Sequence, residues 1–295
     1  MNVLVTGGHG FIGRHCVEAL KSEGHNVRVL SRSEPASEEV AHGDVGDPAS
    51  LDSALRGIDA VVHCVGIIIE PRGVTFESVV RGGTRNLVDT CKKSGVRHII
   101  FISAMGTRPD APSRYHRTKW EAEEAIRNSG ISYTIFQPSV VFGSGDGFIN
   151  KFLNMPFVPL PAGGIARFQP IFVKDLAHLV SKSLSNTAAQ NKTLDAGGPD
   201  QMSFKELMST VLHLTGRKKP MIPLPMWFMK FLAAIHDPFQ KIYPPLALFT
   251  IEQYKMLQED NVGDNSELHI VFPNVRLHSL AEGLRSYAGS KGRTL

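Results

Sequence analysis

Over the first 150 positions, apolar runs alternate with amphipathic stretches, and the order predicts strands alternating with helices. Val3, Leu4 and Val5 form a short uninterrupted apolar run, the pattern of a strand buried on both faces. Phe11, Ile12, Val17 and Leu20 then recur at helical spacing. Residues 26–30 read as a second strand, a short third strand precedes Gly43, and 49–55 read as a helix that Asp47 and Pro48 can open. Residues 58–65 form a fourth strand, 76–94 a long helix, 98–103 a fifth strand, 114–125 a helix and 131–136 a sixth strand. This alternation predicts an α/β fold with a doubly wound parallel sheet of Rossmann type. Beyond residue 150, Pro156, Pro159, Pro161 and Pro170 cluster. Residues 1–150 are therefore expected to form the Rossmann-type domain, and 151–295 a smaller C-terminal lobe interleaved with returns to the sheet. Those returns include a helix over 172–184 entered near Asp175 and a strand over 192–196. Ser203 and Glu206 have capping-box spacing at the start of another helix.

Gly7, Gly10 and Gly13 stand between the first strand and the first helix, at GxxGxxG spacing. Strand, glycine turn and helix together make the context of a dinucleotide site. Gly7 allows a tight turn, Gly10 lets the backbone approach a pyrophosphate, and Gly13 lets the helix pack closely on the strand. Phe11 and Ile12 open the helix, whose N-terminal N–H groups and dipole favour phosphate.

The ends of the following strands supply the other candidate contacts to a cofactor. An NAD-preferring site usually has an acidic residue at the end of the second strand. Here the residues are Ser31 and Arg32, and a guanidinium pairs with a 2′-phosphate at about 1.5–3 kcal/mol. NADP(H) is the expected cofactor, with NAD(H) as the alternative if Arg32 is merely solvated and Glu34 serves the ribose. Asp44, followed by Val45, is a candidate acceptor for the adenine amino group or else a turn residue. Cys64, Val65 and Gly66 end the fourth strand at the usual ligand edge. Pro138 and Ser139 form a turn expected on the nicotinamide side. Residues 143–147, GSGDG, read as a flexible loop and a candidate substrate wall.

Tyr115 and Lys119 are spaced i, i+4 and share one helix face. A nearby ammonium favours the phenolate and moves tyrosine toward a range where it exchanges protons. The pair lies shortly after a strand that ends in Ser103.

Composition narrows the partners. The 295 residues carry a formal charge of +4 without long basic runs, so nucleic acid is not the expected partner. Three separated cysteines and no CxxC fit a reduced compartment, here the cytoplasm. No metal-ligand spacing is present, and none of the twelve histidines stands out as a ligand. Residues 221–235 are strongly apolar but contain two prolines and a lysine, and are too short to span a bilayer. Trp227, Phe228, Phe231, Leu232 and Ile235 recur there at helical spacing. Packing within the lobe is the expectation, and peripheral binding to a membrane face or a protein partner is the alternative.

Together the segments TGGHGFIG, GDVGDPASL, GTRNLVDTCKKSGVRHIIFIS, YHRTK, QPSVVFG, QPIFVKDLA and LDAGGPDQMSFKEL resemble the extended or atypical branch of the short-chain dehydrogenases/reductases, in that family's order. TIEQYKMLQEDNVGDN and SLAEGLRSYA are similar to its bacterial relatives of complex I alpha-subcomplex subunit nine. The resemblance implies bound NAD(P)H, a C-terminal substrate lobe, and Tyr115 and Lys119 as catalytic residues, with Ser103 assisting if its side chain turns inward. Catalytic members usually carry Asn, Ser, Tyr and Lys. Here Val80 and Ala104 stand at the first two positions, and Gln137 replaces an arginine common before the Pro-Ser turn. Three functions follow: an NADPH-dependent oxidoreductase on a carbonyl or quinone, a nucleotide-binding structural or regulatory protein, or a sugar-nucleotide epimerase or dehydratase. The family contains both dimers and monomers.

Overall fold

The structure, a computed structural model, describes residues 1–33, 37–238 and 249–288. Among these, seven parallel strands form the central sheet. They are β1 (Asn2–Thr6), β2 (Asn26–Ser31), β3 (Val40–His42), β4 (Ala60–His63), β5 (His98–Ile102), β6 (Ser132–Pro138) and a seventh, Lys192–Ala196. In space they run β3-β2-β1-β4-β5-β6, with Lys192–Ala196 beyond β6. The order reverses between β1 and β4, which opens a crevice at their carboxyl ends.

The strands are apolar on both sides because each side meets its own helical layer. Val3 and Val5 of β1 face one cluster with Val62, Ile100 and Phe136, while Leu4 faces the other with Val61, Ile99 and Ile135. The first layer holds α1 (Phe11–Ser22) and α6 (Val173–Ser183), through Cys16, Leu20, Leu176 and Val180. The second holds α2 (Pro48–Ala54), α3 (Gly83–Ser94) and α4 (Arg114–Arg127), through Leu51, Leu87, Cys91 and Ile126. The long helix expected over 76–94 is continuous, but its first turn, Glu77–Gly82, is a π-helix.

The C-terminal lobe packs around its own core of Phe142, Leu153, Phe168, Phe204, Leu207 and Leu284. It is built from α5 (Phe148–Asn154), α7 (Phe204–Leu214), α8 (Met226–His236), α9 (Ile251–Met256) and α11 (Leu280–Ala288). The Ser203–Glu206 capping box forms as its spacing predicts. Asp175 sits in the first turn of α6, where its carboxylate accepts from the His278 amide at 2.6 Å and lies 2.7 Å from His278 Nδ1. The α10 helix (Ser266–Val271) returns to the first layer.

Two expectations change. The 143–147 loop is pinned rather than free: Asp146, itself buried, accepts from Ile149 N–H at 2.7 Å, and Arg14 of α1 donates to the Ser144 carbonyl. The apolar stripe of α8 is not internal packing, because Trp227, Phe231 and Ile235 are exposed. Among the described residues, no helix is long and apolar enough to cross a membrane.

Candidate nucleotide and active site

The glycine turn takes the shape its sequence demands. Gly7 has φ +73°, and a Cβ there would come within 3.0–3.1 Å of the backbone of Cys64 and Val65. A Cβ on Gly13 would stand 2.1 Å from the Gly7 carbonyl oxygen, so only glycine lets α1 start this close to β1. Gly10 caps α1 without a side chain, and the first intrahelical bond runs from Arg14 N–H to the Gly10 carbonyl at 3.1 Å. The amides of Phe11, Ile12 and Gly13 thus precede the helical ladder and are free to bind an anion. No acidic side chain occupies this first turn. The residues fit a dinucleotide pyrophosphate.

At the adenosine end, the Arg32 side chain is 78% exposed at the edge of β2, 3.7 Å from Asp44 Oδ2. The other Asp44 oxygen accepts Gly46 N–H at 2.7 Å, the turn role anticipated as its alternative. Ser31 is buried and its carbonyl accepts Gly43 N–H at 2.9 Å. Asp47 caps α2 through Ala49 N–H at 3.1 Å. Val45 is buried against Gly83, with its carbonyl held by Asn86 at 3.0 Å. Glu34, the alternative ribose partner, lies outside the described residues.

Under the crevice floor, His63 of β4 bridges two hydroxyls, Thr6 at 2.6 Å and Thr84 at 3.0 Å. Thr84 donates its own proton to the Val80 carbonyl at 2.5 Å, so it accepts from His63 Nε2–H, and Nδ1 accepts from Thr6. Complete burial, with Lys119 nearby, pushes the His63 pKa down to about 3, so the ring is neutral. Val80 is a fully buried core residue whose carbonyl closes this chain.

Tyr115 and Lys119 are both buried on one face of α4, which Ser113 caps through His116 N–H at 3.2 Å. Lys119 Nζ donates to the Ile102 carbonyl at 2.8 Å and lies 4.6 Å from the Phe101 ring centroid. A Cβ on Gly66 would stand 3.3 Å from that nitrogen. The glycine turn, residues 64–66 and Lys119 are therefore contiguous along one edge. Desolvation lowers the Lys119 pKa to about 8, against the opposing pull of Glu123. Burial raises the Tyr115 pKa to about 12. This corrects the sequence expectation: the cost of burying a phenolate sets the shift, and Tyr115 is a phenol at neutral pH. Its ring packs edge-on against Phe76 at 5.8 Å and against His116 at 5.2 Å.

Ser103 does not turn toward Tyr115. Its hydroxyl donates to Glu123 and lies 3.4 Å from Thr107 Oγ1. Glu123, one turn beyond Lys119, is fully buried, and it accepts from Gln137 at 2.9 Å and from Arg127 at 2.5 Å. The Ser103 hydroxyl hydrogen is thus engaged by Glu123, and Gln137 joins the same network. At the turn after β6, Pro138 and Ser139 are buried. The Ser139 hydroxyl lies 2.6 and 2.7 Å from the side-chain and main-chain oxygens of Asn261, and it accepts Gln169 N–H at 3.2 Å.

The sequence reading missed the residues by which the C-terminal lobe closes this end. Glu259 pairs with Arg108, and Glu252 accepts the Arg114 amide at 2.5 Å. The Arg114 guanidinium also holds Glu70 at 3.2 Å and Glu77 at 3.0 Å. Glu123 and Arg14 stand inside motifs already singled out, but nothing local marked their roles, and Asn261, Glu252 and Glu259 lie in no such motif.

Residues 7–147 match the family described as NAD(P)H-binding. The chain is 29% identical over 287 residues to mitochondrial NADH dehydrogenase [ubiquinone] 1 alpha subcomplex subunit 9 of Arabidopsis thaliana, covering 89% of this chain and 71% of that protein. It is also 29% identical over 234 residues to the ceramide reductase of Caulobacter vibrioides, covering 76% and 73%. The fold is shared with the NADPH-dependent quinone oxidoreductase of Escherichia coli, solved with NADPH, at TM-score 0.73 and 17% identity over 96% of this chain and 99% of that one. Residues 7–147 are thus similar to NAD(P)H-binding domains, in a chain that shares its fold with an NADPH-dependent quinone oxidoreductase and is similar to subunit 9 of the NADH dehydrogenase [ubiquinone] 1 alpha subcomplex.

Proposed function

We propose that this protein is an oxidoreductase that uses NADPH to reduce an apolar carbonyl compound, a ketone, an aldehyde or a quinone. The observation that carries this reading is the continuous edge from the Gly7 turn through Cys64, Val65 and Gly66 to buried Lys119, with Tyr115 one turn earlier on the same helix face. Bound NADPH supplies a hydride from its nicotinamide ring. Lys119 gives one hydrogen to the Ile102 carbonyl and keeps two further donors for ribose hydroxyls. With an aldehyde or ketone, Tyr115 would give its proton to the carbonyl oxygen as the hydride joins the carbonyl carbon, forming C–H and O–H bonds as the C=O π bond breaks. With a quinone, hydride and proton together would give the hydroquinone, and in either case the phenolate would regain a proton from solvent. With its pKa raised to about 12, Tyr115 is in the acid form that reduction requires.

Arg32, exposed at the end of β2, supports NADPH over NADH, because its guanidinium can pair with a 2′-phosphate. Phe76 beside Tyr115 supports an apolar acceptor, and so does the likeness to a ceramide reductase. A cytoplasmic setting goes with this reading.

One observation favours a second reading, a nucleotide-binding subunit without turnover. Ser103 is engaged by Glu123, and Val80 is a core residue, so neither assists Tyr115. The likeness to the complex I subunit goes the same way. The test is NADPH oxidation with a panel of quinones, aldehydes and ketones, run beside Tyr115→Phe. Turnover lost in the variant while NADPH binding persists supports the reductase. Tight NADPH binding without turnover on any acceptor supports the subunit.

A further inference from the structure

The α8 helix is amphipathic in an unusual sense, because its two opposite faces are both apolar. Met229 and Ala233 point into the protein and are 4% and 0% exposed. On the other side Trp227, Phe231 and Ile235 follow at four-residue intervals and are 71%, 55% and 45% exposed. Four-residue spacing puts all three on one stripe. Phe228 fills the stripe's edge, 5.7 Å from Trp227 and 6.4 Å from Phe231, and Ile222 on the preceding strand is 39% exposed. Isolated exposed apolar residues are ordinary, but a contiguous aromatic stripe on one helix marks a contact surface.

Charge identifies the occupant. From Leu207 to His236 the sequence contains no aspartate or glutamate, whereas Arg217, Lys218, Lys219 and Lys230 are all cationic. Arg217 and Lys219 are turned to the carbonyls of Leu153 and Met155. Lys218 and Lys230 are exposed, and Lys230 flanks the stripe on α8 itself. A second copy docked by two-fold symmetry would set these like charges against each other. A surface that combines apolar tails with anionic headgroups accepts both the aromatic side chains and the lysines. An 11-residue helix is only about 16 Å long, too short to span the hydrocarbon core, so it would lie along the surface.

We infer that α8 is a peripheral docking helix for an anionic phospholipid bilayer, with Trp227, Phe231 and Ile235 entering the interface and Lys230 beside them facing the headgroups. The inference is independent of the proposed chemistry. Its test uses the full-length protein carrying Trp120→Phe, which leaves Trp227 as the sole tryptophan. Vesicles of phosphatidylcholine alone are compared with vesicles containing 30% phosphatidylglycerol. The expected result is a blue shift of Trp227 emission, quenching by brominated acyl chains, and co-sedimentation about tenfold or more stronger on the anionic vesicles. Phe231→Ser with Ile235→Ser should reduce co-sedimentation at least about tenfold while leaving the melting temperature within a few degrees. Unchanged Trp227 emission with anionic vesicles overturns the inference. So does shielding of Trp227 from acrylamide without lipid, because the stripe is then already covered by protein. A concentration-dependent dimer that Phe231→Ser abolishes assigns the stripe to a second copy and likewise overturns it.

Discussion

Lys119 Nζ donates to the Ile102 carbonyl at 2.8 Å, so the ammonium of α4 is tied to the carboxyl end of β5. This bond fixes the amine against Gly66, at the edge shared with the glycine turn. It also holds a cation in the interior, where desolvation lowers its pKa to about 8.

The proton balance of Lys119 has a definite sign. Its folded pKa lies below its unfolded value near 10.5, so between about pH 8 and 10.5 the unfolded chain binds the extra proton. Lys119 therefore penalises the folded protein below pH 8, by roughly 3 kcal/mol, and the penalty is relieved as pH rises through that window. Urea unfolding at pH 7.5 and 9.5 should show wild type gaining stability relative to Lys119→Met. An equal pH response in both proteins would place the titration elsewhere. In turnover, where Lys119 acts as the ammonium, kcat/KM should fall above about pH 8.

His63 works in the acid range. Buried and neutral, with a pKa of about 3 against an unfolded value of 6.5, it contributes stability that is complete above pH 6.5 and lost as pH falls toward 3. The loss is roughly 4 kcal/mol. His63→Gln should be less stable than wild type at pH 7, yet lose less on acidification. Parallel acid-unfolding curves would rule this out.

Ser103 and Glu123 are predicted to matter for the fold rather than for the chemical step. Ser103→Ala should leave kcat within about threefold, since its hydroxyl serves Glu123. Glu123→Ala removes the buried partner of Arg127 and should cost about 3–5 kcal/mol in thermal or urea unfolding. A hundredfold loss of kcat in a stably folded Ser103→Ala would return Ser103 to the reaction.

Arg32 tests cofactor choice. Arg32→Ala should weaken NADPH about ten- to hundredfold and leave NADH nearly unchanged, as titration of each nucleotide would reveal. Equal affinities for both nucleotides in wild type, unchanged in the variant, would remove the preference.

The sheet was legible because its strands are buried on both faces. Val3 to Val5 reads as one apolar run, and 192–196 matches the observed strand in full. Gly7 and Gly13 were legible for a similar reason: the turn and the helix approach exclude a Cβ, and the spacing records this. Glu123 was not legible because it sits in the polar run EAEEA, which has the composition of a solvated helix face. Its burial depends on Gln137 and Arg127 closing over it. The 143–147 loop looked flexible because Arg14, which pins it, is 130 positions away. Asn261 is 122 positions from Ser139, and no local pattern connects them. The α8 stripe was misjudged because helical spacing gives the direction of a face without saying what lies opposite it.

The most direct measurement follows the hydride itself. NADPH doubly deuterated at the nicotinamide C4 is incubated with wild type or Tyr115→Phe and the best aldehyde or ketone acceptor, and the product is weighed by mass spectrometry; for a quinone acceptor, whose product keeps no carbon-bound label, the rate of NADPH oxidation is read instead. The expected result is one deuterium on the reduced carbon with wild type, and at least a hundredfold slower labelling with the variant at unchanged NADPH affinity. Tight NADPH binding with neither labelling of an aldehyde or ketone nor NADPH oxidation by a quinone, or turnover at the wild-type rate by Tyr115→Phe, would contradict a reductase acting through Tyr115.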